Sequence, residues 1–212
     1  MKTVWFIRHA ESAANAGLPT TYPDCIPLTT KGVEQAKLLN DNINIEPDLI
    51  ILSSYIRTHQ TAVSLIEKFY KSKTEIWPIH EFNFLSPDEC LNTTVDQRKP
   101  WVNDYWKKCE AQYVHGIGAE SFAEFKIRVL ASIKRLEKFE YKFVVVFTHG
   151  HVIRAIWQYF ITANENADSK SMQFFRDKMS SLPIGNTAIF KAVYNNVSWE
   201  IIEPQFNPKF LS

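Results

Sequence analysis

Short apolar segments alternate along the chain with segments of helical periodicity. Four apolar runs are continuous rather than alternating, as in strands covered on both faces. They are TVWFI at 3–7, LIIL at 49–52, EIWPI at 75–79 and KFVVVF at 142–147. Strands that alternate with helices predict an α/β fold: a three-layer sandwich with a mostly parallel central sheet and helices on both faces.

Four helical segments are well marked. The first begins at Thr30, the second begins near Ser54 and the fourth directly follows the last apolar run. The third begins at Ser121, and Glu124 three residues later completes a capping box. The predicted core-facing residues are Val33, Ala36 and Leu39, with Leu38 as an optional member, in the first helix; Ile56, Ala62 or Val63, Ile66 and Phe69 in the second; and Ile127, Leu130, Ile133 and Leu136 in the third.

The chain of 212 residues contains no internal repeat and no Gly/Ser linker, which predicts one domain over residues 1–212. A mostly helical excursion is expected at about 86–115, between the third and fourth strands. Residues 165–181 form either a helix or a mobile loop. Residues 185–194 and 197–203 add one or two edge strands, and the tail from 203 to 212 is irregular.

Charge and cysteine content narrow the function classes. Lys and Arg number 24 against 23 Asp and Glu, so nothing favours attraction of the whole protein to nucleic acid or to an anionic membrane. Cys25, Cys90 and Cys109 are too few and too scattered for a disulfide framework. The apolar run near the amino terminus stops at Arg8, too early for a signal peptide or a membrane span. These features predict a cytoplasmic protein.

Polar residues follow the predicted strands at one edge of the sheet. Arg8 and His9 follow the first strand, Ser53 and Arg57 the second, Glu81 the third, and Thr148, His149 and His151 the fourth. Ligands of open α/β sheets bind at this edge, beyond the carboxyl ends of the strands. Arginines, histidines and a carboxylate together suit a phosphate group. The chain has neither a P-loop nor a G-x-G-x-x-G motif, so side chains must bind the phosphate.

Several motifs together resemble the histidine phosphatase superfamily, which has the phosphoglycerate mutase-like fold. They are RHAESAAN at 8–15, PLTTKGVEQA at 27–36, SSYIRTHQTA at 53–62, HEFNFL at 80–85, GAESFAEFKIRV at 118–129 and THGHVIR at 148–154. Their order and spacing, from residue 3 to about 190, carry the resemblance. Ala10 departs from the family pattern, which usually has Gly after the Arg-His pair.

The resemblance implies a phosphomonoester hydrolase that acts through a covalent phosphohistidine and requires no metal or other cofactor. It implies that His9 is the nucleophile and that Glu81 is the general acid, protonated at the start. Asp88 and Glu89 are competing carboxylates. The implied phosphate ligands are Arg8, Arg57 and His149, with Asn15 at the family's Asn position. The expected partner is a small phosphorylated substrate.

Three other functions stay open at this stage. A phosphomutase of the same fold is one, although the modest excursion favours a phosphatase. A metallohydrolase would use His149 and His151 with His9 and Glu81. A non-catalytic phosphate-binding protein is the third. His151 is placed outside the main site, and the residues Arg98, Lys99, Trp101, Tyr105 and Trp106 either roof the pocket or belong to the core.

Overall fold

The computed structural model of the chain describes residues 1–203, and these residues contain one six-stranded sheet. The strands are β1 (Lys2–Arg8), β2 (Leu49–Ser53), β3 (Lys73–Trp77), β4 (Phe143–Thr148), β5 (Ile189–Tyr194) and β6 (Trp199–Glu203). Their order is β3-β2-β4-β1-β5-β6. β1 to β4 are mutually parallel, whereas β5 and β6 pair antiparallel at one side.

Seven helices are present in the described part of the chain. They are α1 (Thr30–Asp41), α2 (Ile56–Lys68), α3 (Pro87–Cys90), α4 (Val95–Lys108), α5 (Phe122–Glu137), α6 (Gly150–Thr162) and α7 (Ser169–Ser181). The predicted excursion consists of α3 and α4. The segment predicted as a helix or a loop at 165–181 forms α7.

Apolar side chains pack on both faces of the sheet. On one face, Ile7, Ile50 and Phe147 pack with Leu39 of α1 and Leu65 of α2. The opposite face carries a larger cluster, in which Phe6, Val146 and neighbouring strand residues pack against α4, α5, α6 and α7. The predicted three-layer α/β architecture is confirmed.

The predicted helix faces are partly wrong. In α1 the N-cap is Thr29, not Thr30, and Val33 is 57% exposed because the helix packs through Gly32 and Leu39. In α5 the capping box of Ser121 and Glu124 is present. The predicted core residues of α5 are buried except for Ile127, which is exposed, whereas Phe125 and Lys126 of the same turn are buried.

The buried face of α2 is turned away from the predicted one. Its buried residues are Arg57, Thr58, Thr61, Ala62 and Leu65, whereas Ile56 and Val63 are exposed and Ile66 and Phe69 are only partly buried. Three of the five buried residues are polar, so apolar spacing alone could not identify this face.

Other predictions from the sequence can also be compared with the structure. Tyr105 and Trp106 of α4 are buried against Phe82, so these two aromatic residues belong to the core. No helix within residues 1–203 is long and apolar enough to cross a membrane. The sequence predicts an irregular tail from 203 to 212, but Glu203 belongs to β6, and residues 204–212 lie outside the described residues. The single domain over 1–212 stays a prediction.

Gly32 tests the contact between α1 and the loop that follows β1. A Cβ atom at this position would lie 2.0 Å from the backbone oxygen of Glu11. At an exposed helix position, Gly→Ala stabilises the helix by about 1 kcal/mol. Here the clash with Glu11 should reverse this effect, so Gly32→Ala should lower the free energy of unfolding by about 3 kcal/mol. Urea denaturation measures this change in the free energy of unfolding. Glu34→Ala is the control, because Glu34 is an exposed residue of the same helix. A variant as stable as the parent would contradict the packing described.

Candidate active site

His9 lies directly after β1, at the edge where the parallel strands end. Arg8 of β1 pairs with Thr148 of β4, so His9 and His149 leave the sheet side by side, and their ring centroids are 5.1 Å apart. The His9 side chain is buried. Its Nδ1 lies 2.7 Å from the backbone oxygen of Ala10, which can only accept a hydrogen bond, so Nδ1 carries the ring proton.

The other ring nitrogen of His9 faces a cation. Arg57 Nε donates to His9 Nε2 at 3.2 Å, which requires a lone pair on Nε2. Burial, followed by the charges of Arg57 and Arg8, holds the pKa of His9 well below its ordinary value. His9 is therefore a neutral imidazole whose Nε2 can act as a nucleophile near neutral pH.

Both arginines at the site are held by backbone oxygens. Arg57 Nη1 donates to the oxygen of Pro23 at 2.6 Å, and the guanidinium lies over the ring of Tyr55, 4.8 Å from its centroid. Burial lowers the pKa of Arg57 to about 10, so the group stays charged at neutral pH. Arg8 Nη1 donates to the oxygen of Ile184, while Arg8 Nε is buried and makes no hydrogen bond in the described structure.

His149 is the N-cap residue of α6 and is fully buried. Its Nε2 lies 2.8 Å from Ser53 Oγ, and Ser53 Oγ also accepts a hydrogen bond from the backbone N–H of Tyr55. Burial, together with the charge of Arg57, lowers the pKa of His149 well below its ordinary value, so this ring is also neutral. Its Nδ1 is buried and unpaired among the described residues. We infer that Ser53 donates to Nε2 and that Nδ1 carries the proton.

Asn15 sits at the exposed rim of this cluster. Its Oδ1 accepts hydrogen bonds from Ser12 Oγ at 3.0 Å and from Asn186 Nδ2 at 3.0 Å. Asn186 Nδ2 also lies 3.1 Å from the backbone oxygen of His9. The segment before β5 therefore connects Asn15 to the loop that carries His9.

Glu81 follows β3 and faces the start of α6. Its carboxylate accepts hydrogen bonds from the backbone N–H of Phe82 at 3.0 Å and of His151 at 3.2 Å, and His151 Nδ1 lies 3.2 Å from Oε1. Burial alone would raise the pKa of Glu81, but the interaction with His151 and the hydrogen bond from the Phe82 N–H hold it well below its ordinary value. The carboxyl group is thus ionised in the unliganded protein, which differs from the expectation that it starts protonated.

The two competing carboxylates lie elsewhere. Asp88 Oδ1 accepts a hydrogen bond from the hydroxyl of Tyr22, and Glu89 lies 3.9 Å from the imidazole of His115. Both belong to α3, whereas Glu81 directly contacts the first turn of α6. Within residues 1–203, no group of three or more His, Cys, Asp or Glu side chains is placed to hold a metal ion.

Three further residues belong to the site although they were not assigned to it from the sequence. His151 contacts Glu81, and Tyr55 lies between Arg57 and His149, 5.3 Å from the latter ring. Arg154 is buried, and burial lowers its pKa to about 10, against the opposing effect of the Glu81 charge. Helical spacing could have assigned His151 and Arg154 to the site. The two positions lie one turn apart at the start of a helix whose first turn faces the strand ends.

The arrangement suits an anion with several oxygens. Arg8 and Arg57 supply fixed positive charge, and Arg8 Nε and His149 Nδ1 are buried polar atoms without hydrogen-bond partners in the described part of the protein. A phosphoryl group is the ligand whose geometry and charge such donors match. The neutral Nε2 of His9 adds a nucleophile at the same place.

The electrostatic role of Arg57 can be tested in the unliganded protein. Arg57→Gln removes a charge that disfavours protonation of His9, so the pKa of His9 should rise and its neutral fraction at a given pH should fall. A ¹⁵N NMR titration, assigned with His9→Gln, measures the change. Arg135→Gln is the control, because Arg135 forms an ion pair with Glu75 and has no contact with His9 in the described structure. An unchanged or lowered His9 pKa in Arg57→Gln would refute the proposed coupling.

Known proteins resemble the chain in both sequence and fold. The adenosylcobalamin/alpha-ribazole phosphatase of Escherichia coli (strain K12) is 28% identical over 163 residues, which cover 71% of this chain and 74% of that protein. The alpha-ribazole phosphatase structure from Shigella flexneri superimposes with a TM-score of 0.74 at 20% identity, covering 98% of this chain and 99% of the other.

A second solved structure has the same fold. Phosphoserine phosphatase from Entamoeba histolytica, in complex with 3-phosphoglyceric acid, gives a TM-score of 0.73 at 18% identity and covers 100% of both chains. The sequence model of the histidine phosphatase superfamily (branch 1) matches residues 4–203. The resemblance drawn from the motifs is confirmed: the chain belongs to the histidine phosphatase superfamily.

Proposed function

We propose that this protein hydrolyses phosphate monoesters of small molecules through a phosphohistidine formed on His9. One observation carries the proposal: the His9 ring is held neutral, with its Nε2 lone pair directed at Arg57 in a cluster that also contains Arg8 and His149. The chain belongs to the histidine phosphatase superfamily, and relatives named as alpha-ribazole and phosphoserine phosphatases support a small phosphorylated substrate.

In the first step, Nε2 of His9 attacks phosphorus and the bond from phosphorus to the ester oxygen breaks. Arg57 Nε must transfer its hydrogen bond from Nε2 to a phosphoryl oxygen before the attack, which exposes the lone pair. Arg8 Nε and His149 Nδ1 are the remaining donors for the phosphoryl oxygens. Their charges and dipoles neutralise the negative charge that spreads over these oxygens in the transition state.

Glu81 supplies the proton to the departing alcohol oxygen. Since its carboxyl group is ionised before substrate binds, it must gain a proton once the substrate is bound. A phosphate monoester monoanion carries one such proton, and an anion on the arginines favours its transfer to Glu81 because it offsets their positive charge. Once the alcohol has left, ionised Glu81 is again a base.

In the second step, Glu81 removes a proton from water and the hydroxide oxygen attacks phosphorus. The bond between phosphorus and Nε2 breaks, and its electron pair returns to the neutral His9 ring. Inorganic phosphate leaves, and Glu81 loses its proton to solvent before the next cycle. The Glu81 side chain is 23% exposed, so water can reach its carboxyl group.

The phosphohistidine can be trapped directly. Incubation with ³²P-labelled ester and an alkaline quench should leave label on His9, and His9→Ala should lower kcat at least about a thousandfold. His115→Ala is the control, because this imidazole lies on the excursion beside Glu89. The assays contain EDTA. Retained activity in His9→Ala would overturn the proposal, and activity abolished by EDTA would favour the metallohydrolase.

The role of Glu81 should depend on the leaving group. Glu81→Gln should lower kcat/KM, which reports only the steps up to release of the alcohol, about a hundredfold for an alkyl phosphate, whose oxygen must be protonated as it leaves. For p-nitrophenyl phosphate, a good leaving group, the loss in the first step should be much smaller. Glu89→Gln is the matched control on α3. Equal losses on both esters would remove the acid role from Glu81, as would a larger effect of Glu89→Gln.

A further inference from the structure

A groove adjoins the phosphate cluster, between the loop after β1 and the start of the excursion. It is lined by Tyr22, Pro23, Asp24, Ser54, Tyr55, His80, Asn83 and Pro87. Tyr55 connects it to the cluster, because its ring contacts the Arg57 guanidinium, the His149 ring and, at a centroid distance of 5.4 Å, the His80 ring. A phosphate held at Arg57 would therefore extend its ester group into this groove.

The lining carries one carboxylate and no cation. Burial, followed by the charge of Arg128, lowers the pKa of His80 to about 4, so this imidazole is neutral at pH 7. Tyr55, Ser54 and Asn83 offer uncharged polar groups. Asp24 is therefore the only charged side chain among the eight lining residues. A second carboxylate, Asp88, lies at the rim, where it accepts a hydrogen bond from Tyr22.

Two arginines whose charges act on lining residues are already engaged. The charge of Arg57 acts on Asp24, but Arg57 belongs to the phosphate cluster and is neutralised by the bound phosphate. Arg128, whose charge acts on His80, donates to the Glu120 carboxylate at 2.6 Å and to the backbone oxygen of Pro78. Neither is a lining residue, so no lining side chain is a cation that could balance a negative charge on an alcohol.

The loop that bears Asp24 is fixed by its backbone. The oxygen of Pro23 accepts from Arg57, and the oxygen of Asp24 accepts from the backbone N–H of Ile56 at 2.9 Å. The Asp24 carboxylate lies beside the Cys25 thiol, whose pKa it raises, and it forms no ion pair with Lys or Arg in the described structure. A substitution at Asp24 can thus change the charge while both backbone contacts stay in place.

We infer that this groove binds the alcohol part of the substrate and that Asp24 determines its charge, so that uncharged or cationic alcohols are accepted and alcohols bearing a carboxylate or a second phosphate are disfavoured. The inference rests on the proposed phosphatase function. A carboxylate brought close to Asp24 would suffer repulsion without a compensating cation, whereas hydroxyl and ammonium groups can donate to the Asp24 oxygens.

Two esters that differ in one group test this inference. Glycerol 3-phosphate and 3-phosphoglycerate differ by a CH₂OH group in place of a carboxylate, remote from the phosphate. For the parent protein, kcat/KM should be about tenfold higher for glycerol 3-phosphate, the size of one modest charge repulsion. Asp24→Asn should raise kcat/KM for 3-phosphoglycerate relative to that for glycerol 3-phosphate, until the two values agree within about threefold.

Glu46→Gln is the matched control, because Glu46 is an exposed carboxylate just before β2, at the opposite edge of the sheet. It should leave the tenfold preference intact. Equal use of both esters by the parent protein would overturn the inference, as would an Asp24→Asn variant that keeps the full preference. Activity on p-nitrophenyl phosphate tests the phosphatase function separately. Calorimetric binding of both esters to His9→Ala tests the preference without turnover.

Discussion

The site depends on keeping one imidazole neutral between two buried guanidinium groups. The backbone oxygen of Ala10 fixes the ring proton of His9 on Nδ1, and Arg57 then has only the Nε2 lone pair to bond. In the proposed reaction, the same charges that prevent protonation of the ring also attract the phosphate that it attacks. The proposed nucleophile and the proposed phosphate ligands thus form one electrostatic arrangement, and neither function can be assigned to a residue in isolation.

The fold supplies this arrangement through strand register and helix position. Parallel pairing of β1 with β4 aligns Arg8 with Thr148, which places His9 beside His149. The first turn of α2 contributes Arg57, and the Thr61 hydroxyl one turn later accepts from the backbone N–H of Ala10. Antiparallel β5 pairs with β1 on the other side. Just before β5, Thr187 has a φ of 58°, and its N–H donates to the backbone oxygen of Arg8.

Apolar runs and the rule for strand ends predicted the sheet and the grouping of Arg8, His9, Arg57 and His149 from the sequence. They failed where the site itself changes the pattern. The inner face of α2 is polar because Arg57 and Thr61 serve the site, so hydrophobic spacing indicated the wrong side. β3 ends at Trp77, before the Pro78 that had been included in the strand. The contact between His151 and Glu81 is set by tertiary packing, which no local pattern encodes.

Glu81 explains how so much positive charge can be buried together. Arg8, Arg57 and Arg154 all have their pKa lowered by burial, and the charge of Glu81 opposes that effect on each of them. The ionised carboxylate therefore stabilises the unliganded site. When a phosphate anion takes over that charge balance, the carboxylate is no longer needed as a counter-ion and can accept a proton. In the proposed mechanism, substrate binding thereby converts the carboxylate that balances the arginines in the unliganded protein into the general acid of the reaction.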